Sequence, residues 1–151
     1  MPQSLSRALI HTVFSTKDRF PFLANHDLRG EMHAYVGGIA KKLDCEPIRI
    51  GGIADHVHLL TTLSRTISIA DFVKEVKRVS SIWIKERGGL QSKFRWQSGY
   101  GVFSVSPLDV DRLVCYIENQ EAHHERTGFQ DEYRALLREH GVDLEERYLW
   151  D

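Results

Sequence analysis

The stretch 48–63, Ile-Arg-Ile-Gly-Gly-Ile-Ala-Asp-His-Val-His-Leu-Leu-Thr-Thr-Leu, decides the fold of this chain. It is apolar and rich in β-branched residues, with Gly51-Gly52 in its middle, and this pattern predicts two strands that meet at a turn. Side chains alternate between the two faces of a strand, so His56 and His58 share one face. The apolar residues that alternate with them share the other face, which can pack beneath helices.

The two histidines are the first candidate site residues. Two imidazoles at this spacing on one face of a sheet can bind a divalent metal ion. The alternative is that His56 and His58 are partly exposed polar residues on the open face of the sheet. Because His-x-His is a short pattern, its spacing alone favours this second interpretation.

Segments on either side of this stretch alternate between the periodicity of strands and that of helices. Pro107 cannot continue a strand but suits the first turn of a helix. The predicted elements are a strand at 7–15, a helix at about 27–43, the two strands around Gly51-Gly52, a helix at about 68–85, a strand at 101–106, a helix at about 108–124 and a short acidic helix near 131–140.

The order strand, helix, strand, strand, helix, strand predicts an α+β fold of the ferredoxin-like, split βαβ type. Such a fold is a four-stranded antiparallel sheet with helices on one face, here followed by a further helix at about 108–124. His56 and His58 are then expected to point from the open face. We expect one domain over 1–151, with a core at about 5–127 and a short acidic helical segment at about 129–151.

Length and composition place the chain among ordinary globular proteins. It has 151 residues, 42% of them hydrophobic and 27% charged, which excludes disordered and fibrous classes. The sequence shows neither a secretory leader nor an apolar run long enough to span a membrane, so we expect a cytoplasmic protein without membrane contact. Cys45 and Cys115 are isolated thiols, which suit a reducing compartment rather than a disulfide framework or a zinc ribbon.

Charge is distributed unevenly along the chain. Residues 1–100 hold 15 Lys and Arg against 9 Asp and Glu, whereas residues 101–151 hold 5 against 12. This asymmetry favours contact between the first part and a polyanion such as a nucleic acid, although a solvated surface with an acidic tail has the same composition. The candidate nucleic-acid contacts are Lys17, Arg19, Lys74, Lys77, Arg78, Lys93 and Arg95.

The helix predicted at about 108–124 carries the remaining candidate residues. Tyr116 and Gln120 are four residues apart and therefore neighbours on one helix face. They lie at the edge of its apolar stripe, where a side chain can reach a neighbouring surface. A tyrosine in such a position commonly packs with its hydroxyl in water, and that is the alternative to a catalytic role.

Four motifs together resemble a known family. They are Asp-His-Val-His-Leu-Leu at 55–60, Tyr-Ile-Glu-Asn-Gln at 116–120, His-Thr-Val-Phe-Ser-Thr-Lys at 11–17 and Phe-Arg-Trp-Gln-Ser-Gly-Tyr-Gly-Val-Phe-Ser-Val-Ser at 94–106. The first two are similar to the His–hydrophobic–His and Tyr-x-x-x-Gln motifs of single-tyrosine HUH transposases. That family acts on single-stranded DNA and includes the REP-associated tyrosine transposases. The resemblance extends over about residues 5–127.

The resemblance implies a chemistry for each motif. His56, His58 and Gln120 would bind Mg²⁺ or Mn²⁺, and the ion would act as a Lewis acid on the scissile phosphate. Tyr116 would attack that phosphate and form a 5′-phosphotyrosyl link, so that strand transfer rather than hydrolysis is the outcome. A phenol is mostly protonated at neutral pH and needs a base, for which His123 is the only suggestion that the sequence offers.

The resemblance also implies the partners of the chain. These are a single-stranded DNA hairpin and a second copy of the chain, in a homodimer whose active site is shared between the subunits. The residues alone leave other functions open. One is a non-catalytic ferredoxin-like module that binds nucleic acid, and another is a metal-dependent phosphohydrolase that uses the histidines without a tyrosine nucleophile. A relative that only nicks DNA is a third.

Overall fold

A computed structural model describes residues 2–151, which form a four-stranded sheet and helices. The strands are β1 (Ala8–Ser15), β2 (Pro47–Ile53), β3 (His56–Leu63) and β4 (Gly101–Ser104). The helices are α1 (His26–Lys42), α2 (Ile69–Lys85), α3 (Val110–Glu118), α4 (Gln120–His124), α5 (Phe129–Glu139) and α6 (Glu146–Leu149). Short 3-10 turns occupy Lys17–Arg19, Gly89–Lys93 and Pro107–Asp109.

The sheet has the strand order β2-β3-β1-β4, and every pairing is antiparallel. This confirms the predicted α+β, ferredoxin-like class and its four-stranded sheet. Asn25 and Ser68 cap the starts of helices α1 and α2, because their side chains accept hydrogen bonds from the backbone of the first turn. Both helices pack on the face that contains Val57 and Leu59, around a core of buried apolar side chains.

The turn between β2 and β3 differs from the prediction. It is formed by Ala54 and Asp55, and Gly51-Gly52 belongs to β2. The reason is packing by α3: a Cβ on Gly51 would lie 2.6 Å from Cγ2 of Ile117. Gly52 has a φ of +149°, and a Cβ there would lie 2.3 Å from a backbone oxygen of β3. The glycines therefore allow close approach rather than a reversal of the chain.

The helix predicted at about 108–124 is also interrupted. It starts with the 3-10 turn Pro107–Asp109 and is divided at Asn119, whose φ of −97° and ψ of 21° separate α3 from α4. Side-chain hydrogen bonding accounts for the break, since Nδ2 of Asn119 donates to the backbone oxygen of Cys115 at 2.8 Å. β4 likewise ends at Ser104, two residues before the predicted end.

The second face of the sheet is covered, although the sequence was interpreted as leaving it open. Phe129, Tyr133 and Leu137 recur along α5 and form a second core with Val13 and Phe103 of the sheet. Helix α5 therefore buries polar residues of this face that the sequence analysis expected to be exposed to solvent. Among residues 2–151, no helix combines the length and the apolar character that a membrane crossing requires.

Candidate active site

The two predicted histidines lie at the start of β3, and both side chains are completely buried. Their expected position on an open face is therefore wrong, because helices α4 and α5 cover that face. The Nδ1 atom of each ring has a partner. His56 Nδ1 lies 2.7 Å from Oδ1 of Asp55, and His58 Nδ1 lies 2.8 Å from Nε2 of the buried His11. Such contacts fix the rotation of an imidazole and leave its Nε2 for another ligand.

Tyr116 and Gln120 reach the same place from α3 and α4. Gln120 is buried, and its Oε1 lies 3.0 Å from Nε2 of His56. The ring of Tyr116 lies edge-on to that of His58, with 5.7 Å between the centroids. The four residues of the two sequence motifs are thus brought together within a single chain, despite the break at Asn119.

A further residue, Glu132 of α5, lies at the centre of this group, and the sequence analysis did not identify it. Its side chain is 1% exposed. Oε1 lies 3.1 Å from Nε2 of His58 and 3.4 Å from Nε2 of His56. Oε2 accepts a hydrogen bond from the hydroxyl of Tyr116 and lies 3.2 Å from Nε2 of Gln120.

A helical pattern in the sequence was the available signal for Glu132. Phe129, Tyr133 and Leu137 are four residues apart, which marks one side of α5 as a buried face. Glu132 lies three residues after Phe129 and therefore on that same side. Because this segment was interpreted as a solvated acidic tail, its one buried carboxylate was overlooked.

His123 and His124, at the end of α4, complete the surroundings of Glu132. The Nε2 atom of each lies 3.2 Å from Oε2 of Glu132, but neither atom has a hydrogen-bond partner of good geometry. The ring of His123 lies 5.4 Å from that of Tyr116, centroid to centroid. His123, the residue suggested as a base, is therefore close to Tyr116. The hydrogen bond from the Tyr116 hydroxyl, however, is accepted by Glu132.

The electrostatics of the group follow from burial and from these contacts. Burial opposes a positive charge on His56, but the contacts with Asp55 and Glu132 outweigh it and raise its pKa to about 9. Burial lowers the pKa of His58. Burial would also raise the pKa of Glu132, yet the surrounding histidines hold that pKa well below its usual range. Glu132 is thus an anion among imidazoles.

The pKa of Tyr116 is shifted in the opposite direction to that of Glu132. Burial and the negative charge of Glu132 raise the pKa of its phenol above the usual range. The hydroxyl is therefore protonated in this arrangement and donates a hydrogen bond to the carboxylate of Glu132. Ionisation of Tyr116 requires additional positive charge nearby.

A family model described as "Transposase IS200 like" matches residues 4–120, a range that includes both sequence motifs. The chain belongs to the IS200-like transposase family. The transposase for insertion sequence element IS200 of Salmonella typhimurium (strain LT2) is 31% identical over 127 residues, with 76% of this chain and 82% of that protein covered. The same values hold for the IS200 transposase of Salmonella typhi.

Two solved structures share the fold of this IS200-like transposase. A putative transposase from Deinococcus radiodurans R1 is 23% identical, with a TM-score of 0.62. The matched region covers 80% of this chain and 95% of the Deinococcus chain. A REP-associated tyrosine transposase bound to a REP hairpin is 16% identical, with a TM-score of 0.58. The matched region covers 82% of this chain and 73% of the REP-associated transposase chain. These neighbours confirm the fold class and agree with the resemblance seen in the sequence motifs.

The residues of this IS200-like transposase fit the divalent cation that the family implies. Because Asp55 engages Nδ1 of His56, the Nε2 atom of that ring faces two oxygen acceptors, Gln120 Oε1 and Glu132 Oε1. Acceptors that converge on one nitrogen require a positive charge between them, either a proton or a metal ion. The set of imidazole, amide and carboxylate donors suits a divalent transition metal.

The predicted nucleic-acid contacts of the transposase occupy two regions. Lys17 and Arg19 lie just after β1, beside Lys93 and Arg95, since the backbone nitrogen of Lys17 donates to the oxygen of Arg95 at 2.8 Å. The backbone nitrogen of Thr16 donates to the backbone oxygen of Asp55 in the β2–β3 turn. This basic region therefore adjoins the start of β3 and its histidines. The second region lies on α2.

On α2, the three predicted contacts have different surroundings. Lys74 is exposed, and Arg78 is exposed but paired with Glu75 at 2.8 Å. Lys77 is largely occupied within the protein, because its ammonium group donates to the backbone oxygens of Gln97, Ser98 and Gly99 at 2.8, 3.2 and 2.7 Å. Burial lowers the pKa of Lys77 to about 8.

Proposed function

We propose that this transposase cleaves and rejoins single-stranded DNA with Tyr116 as its nucleophile and with a divalent metal ion. The observation that carries the proposal is the convergence of Tyr116, Gln120 and the Nε2 atoms of His56 and His58 on the single carboxylate of Glu132. A tyrosine that only packed at a helix edge would have its hydroxyl in water. Here the hydroxyl lies among potential metal ligands.

The reaction exchanges one phosphodiester for another. The oxygen of Tyr116 bonds to the phosphorus, the bond from phosphorus to the 3′-oxygen breaks, and the departing strand takes up a proton at its new 3′-hydroxyl. The 5′-phosphotyrosyl link conserves the energy of the original bond, so a second 3′-hydroxyl can displace the tyrosine without ATP. The proton that Tyr116 loses is the one taken up by the departing strand, and Glu132 accepts the hydrogen bond that orients the hydroxyl.

His56, His58 and Gln120 would hold the metal ion, Mg²⁺ or Mn²⁺. When bound, it supplies Lewis acidity towards the scissile phosphate and positive charge beside the developing phenolate. Two imidazoles favour Mn²⁺ over Mg²⁺, since Mg²⁺ prefers oxygen ligands. The buried position of both histidines excludes water from the ligand nitrogens and strengthens this charge effect.

We infer that the substrate is single-stranded DNA with a hairpin. The REP-associated relative of the same fold is bound to a REP hairpin. In this chain, the region of Lys17, Arg19, Lys93 and Arg95 adjoins the start of β3, and we expect these residues to contact phosphates. A cavity of about 570 Å³ also opens beside Tyr116, between β4, α3 and α5, so the tyrosine can be reached from solvent.

The assembly is proposed in two forms. The resemblance predicts a homodimer that shares its active site between subunits. Within one chain, however, Tyr116 already contacts His58, which favours a site completed by a single chain. The two arrangements place the same residues in the same roles and differ only in which copy supplies the tyrosine.

The test is incubation with a single-stranded hairpin DNA and Mn²⁺, followed by denaturing electrophoresis. We expect a covalent protein–DNA band that EDTA prevents and that Tyr116→Phe abolishes. Tyr100→Phe is the matched control, because it removes an exposed phenol outside the site. A normal adduct yield with Tyr116→Phe would contradict the assignment. Binding without any adduct would indicate a nucleic-acid-binding module, and cleavage without an adduct would indicate a phosphohydrolase.

A further inference from the structure

Glu132 is the buried carboxylate of the site, and it lies outside the part of the chain that the family model matches. That match ends at residue 120, twelve positions earlier. Helix α5 holds Glu132 in place, because Phe129, Tyr133 and Leu137 of the same helix are packed against the sheet. The carboxylate is therefore part of the rigid cover of the second face and not an exposed side chain.

The distances around Glu132 are those of neighbouring ligands of one ion. Oε1 lies 3.1 Å from His58 Nε2 and 3.4 Å from His56 Nε2, and the latter lies 3.0 Å from Gln120 Oε1. Two ligands at about 2.1 Å from a metal are roughly 3.0 Å apart at right angles and roughly 3.4 Å apart at the tetrahedral angle. The potential ligand atoms of His56, His58 and Glu132 all lie within 4.8 Å of one another.

Charge supports the same conclusion. Two neutral imidazoles and the amide of Gln120 would leave a divalent cation uncompensated in a buried site. A carboxylate whose Oε1 faces both Nε2 atoms supplies the missing negative charge. Two imidazoles and one carboxylate are a common ligand set for divalent transition metals.

We propose that Glu132 is a ligand of the cation held by His56, His58 and Gln120, binding through Oε1. Its second oxygen, Oε2, accepts a hydrogen bond from the hydroxyl of Tyr116. One carboxylate thereby joins the metal site to the nucleophile and fixes the distance between them. The inference rests on the proposed function, since it concerns the metal of that same site.

The test measures Mn²⁺ binding directly, by the loss of the free-ion electron paramagnetic resonance signal during titration without DNA. We expect wild type to bind Mn²⁺ and Glu132→Gln to bind it at least about tenfold more weakly. Glu86→Gln is the matched control, because it neutralises an exposed carboxylate just after α2, away from the site, and should leave the affinity unchanged. The double variant His56→Ala/His58→Ala should lose binding.

A second variant protects the test against misfolding. Glu132→Asp keeps the charge but withdraws the carboxylate by one methylene, so it should also weaken Mn²⁺ binding. Circular dichroism and hairpin binding in EDTA report whether each variant is folded. Glu132→Gln or Glu132→Asp that is folded and binds Mn²⁺ as tightly as wild type, or more tightly, would overturn the inference and mark Glu132 as a competitor for the position of the cation.

Failure of this inference is distinguishable from failure of the proposed function. If wild type forms the Mn²⁺-dependent adduct and Glu132→Gln retains full Mn²⁺ affinity, only the role of Glu132 is wrong. If wild type binds no Mn²⁺ and forms its adduct in EDTA, the metal dependence is wrong, and the inference falls with it.

Discussion

His33 of α1 is a half-buried titratable residue near the histidine pair. Its Nε2 atom is buried without a hydrogen-bond partner. Burial, together with the positive charge of Arg29, lowers the pKa of His33 to about 4. The folded protein therefore keeps this ring neutral at a pH at which an unfolded chain protonates it.

Acidification should lower stability through this residue. Between the unfolded pKa of about 6.5 and the folded pKa of about 4, the unfolded chain binds more protons, so the free energy of unfolding falls as the pH falls and levels off below pH 4. We expect His33 to contribute about 1–3 kcal/mol to this loss. Urea unfolding of His33→Gln at pH 7, 5.5 and 4.5 in EDTA should show a smaller decrease than wild type.

His26→Gln is the control for this measurement. His26 lies on the same helix, and its side chain is 81% exposed, so its substitution should leave the pH dependence as in wild type. A pH dependence of His33→Gln identical to that of wild type would refute the burial effect.

At the scale of the elements, the contact between β2 and α3 positions the tyrosine. Ile117 of α3 packs directly over Gly51, and Tyr116 is the preceding residue. On the same strand, Gly52 brings the backbone of β2 close to the start of β3. A strand with larger side chains here would hold α3 farther from the sheet and would move Tyr116 away from His58.

Gly51→Ala should therefore destabilise the protein. The added Cβ would lie 2.6 Å from Cγ2 of Ile117 and 3.0 Å from its backbone oxygen, so α3 must shift. We expect a loss of about 1–3 kcal/mol in the free energy of unfolding and a reduced adduct yield. Gly38→Ala is the matched control, since a Cβ on this α1 residue meets nothing within 4 Å and should stabilise by about 0.5–1 kcal/mol. Equal stability of the two variants would contradict close packing at Gly51.

At the scale of the whole molecule, basic residues gather beside the site while acidic residues dominate the last third of the chain. Lys93 is exposed in the region that also contains Lys17, Arg19 and Arg95. Lys77, in contrast, donates to three backbone oxygens within the protein. We therefore expect Lys93 and Lys77 to serve different purposes.

Salt dependence of hairpin binding should separate these purposes. Lys93→Met should reduce the slope of log affinity against log salt concentration by about 1, because one phosphate contact is lost. Lys77→Met should leave the slope unchanged and lower the free energy of unfolding by about 1–3 kcal/mol, because backbone acceptors lose their donor. Fluorescence anisotropy at several salt concentrations measures the slope. A change of slope with Lys77→Met and none with Lys93→Met would reverse the two assignments.

Subunit mixing tests where the site is assembled. His56→Ala/His58→Ala and Tyr116→Phe are mixed under conditions that exchange subunits, and adduct formation is measured. Because Tyr116 contacts His58 of its own chain, we expect no activity to return. Recovered activity would instead support the shared homodimeric site that the family resemblance predicts, since one mixed site would contain intact histidines and an intact tyrosine.

The sequence by itself was sufficient for the elements that have a strong period and for the motifs that lie on them. Alternation along 56–60 predicted a strand there and placed both histidines on one face, and helical spacing predicted α1 and α2 to within one residue at each end. These features depend on neighbours in the chain, because the period of a strand or helix is fixed by backbone geometry. The four motifs together also indicated the family.

The tertiary structure alone decided what covers the second face of the sheet. Alternation shows that His56 and His58 share a face, but not that α5 buries them or that Glu132 lies between them and Tyr116. It likewise decided that Gly51 serves packing by α3 rather than a turn. These features depend on contacts between segments far apart in the chain, and the free energy of such packing is not encoded in the period of either segment.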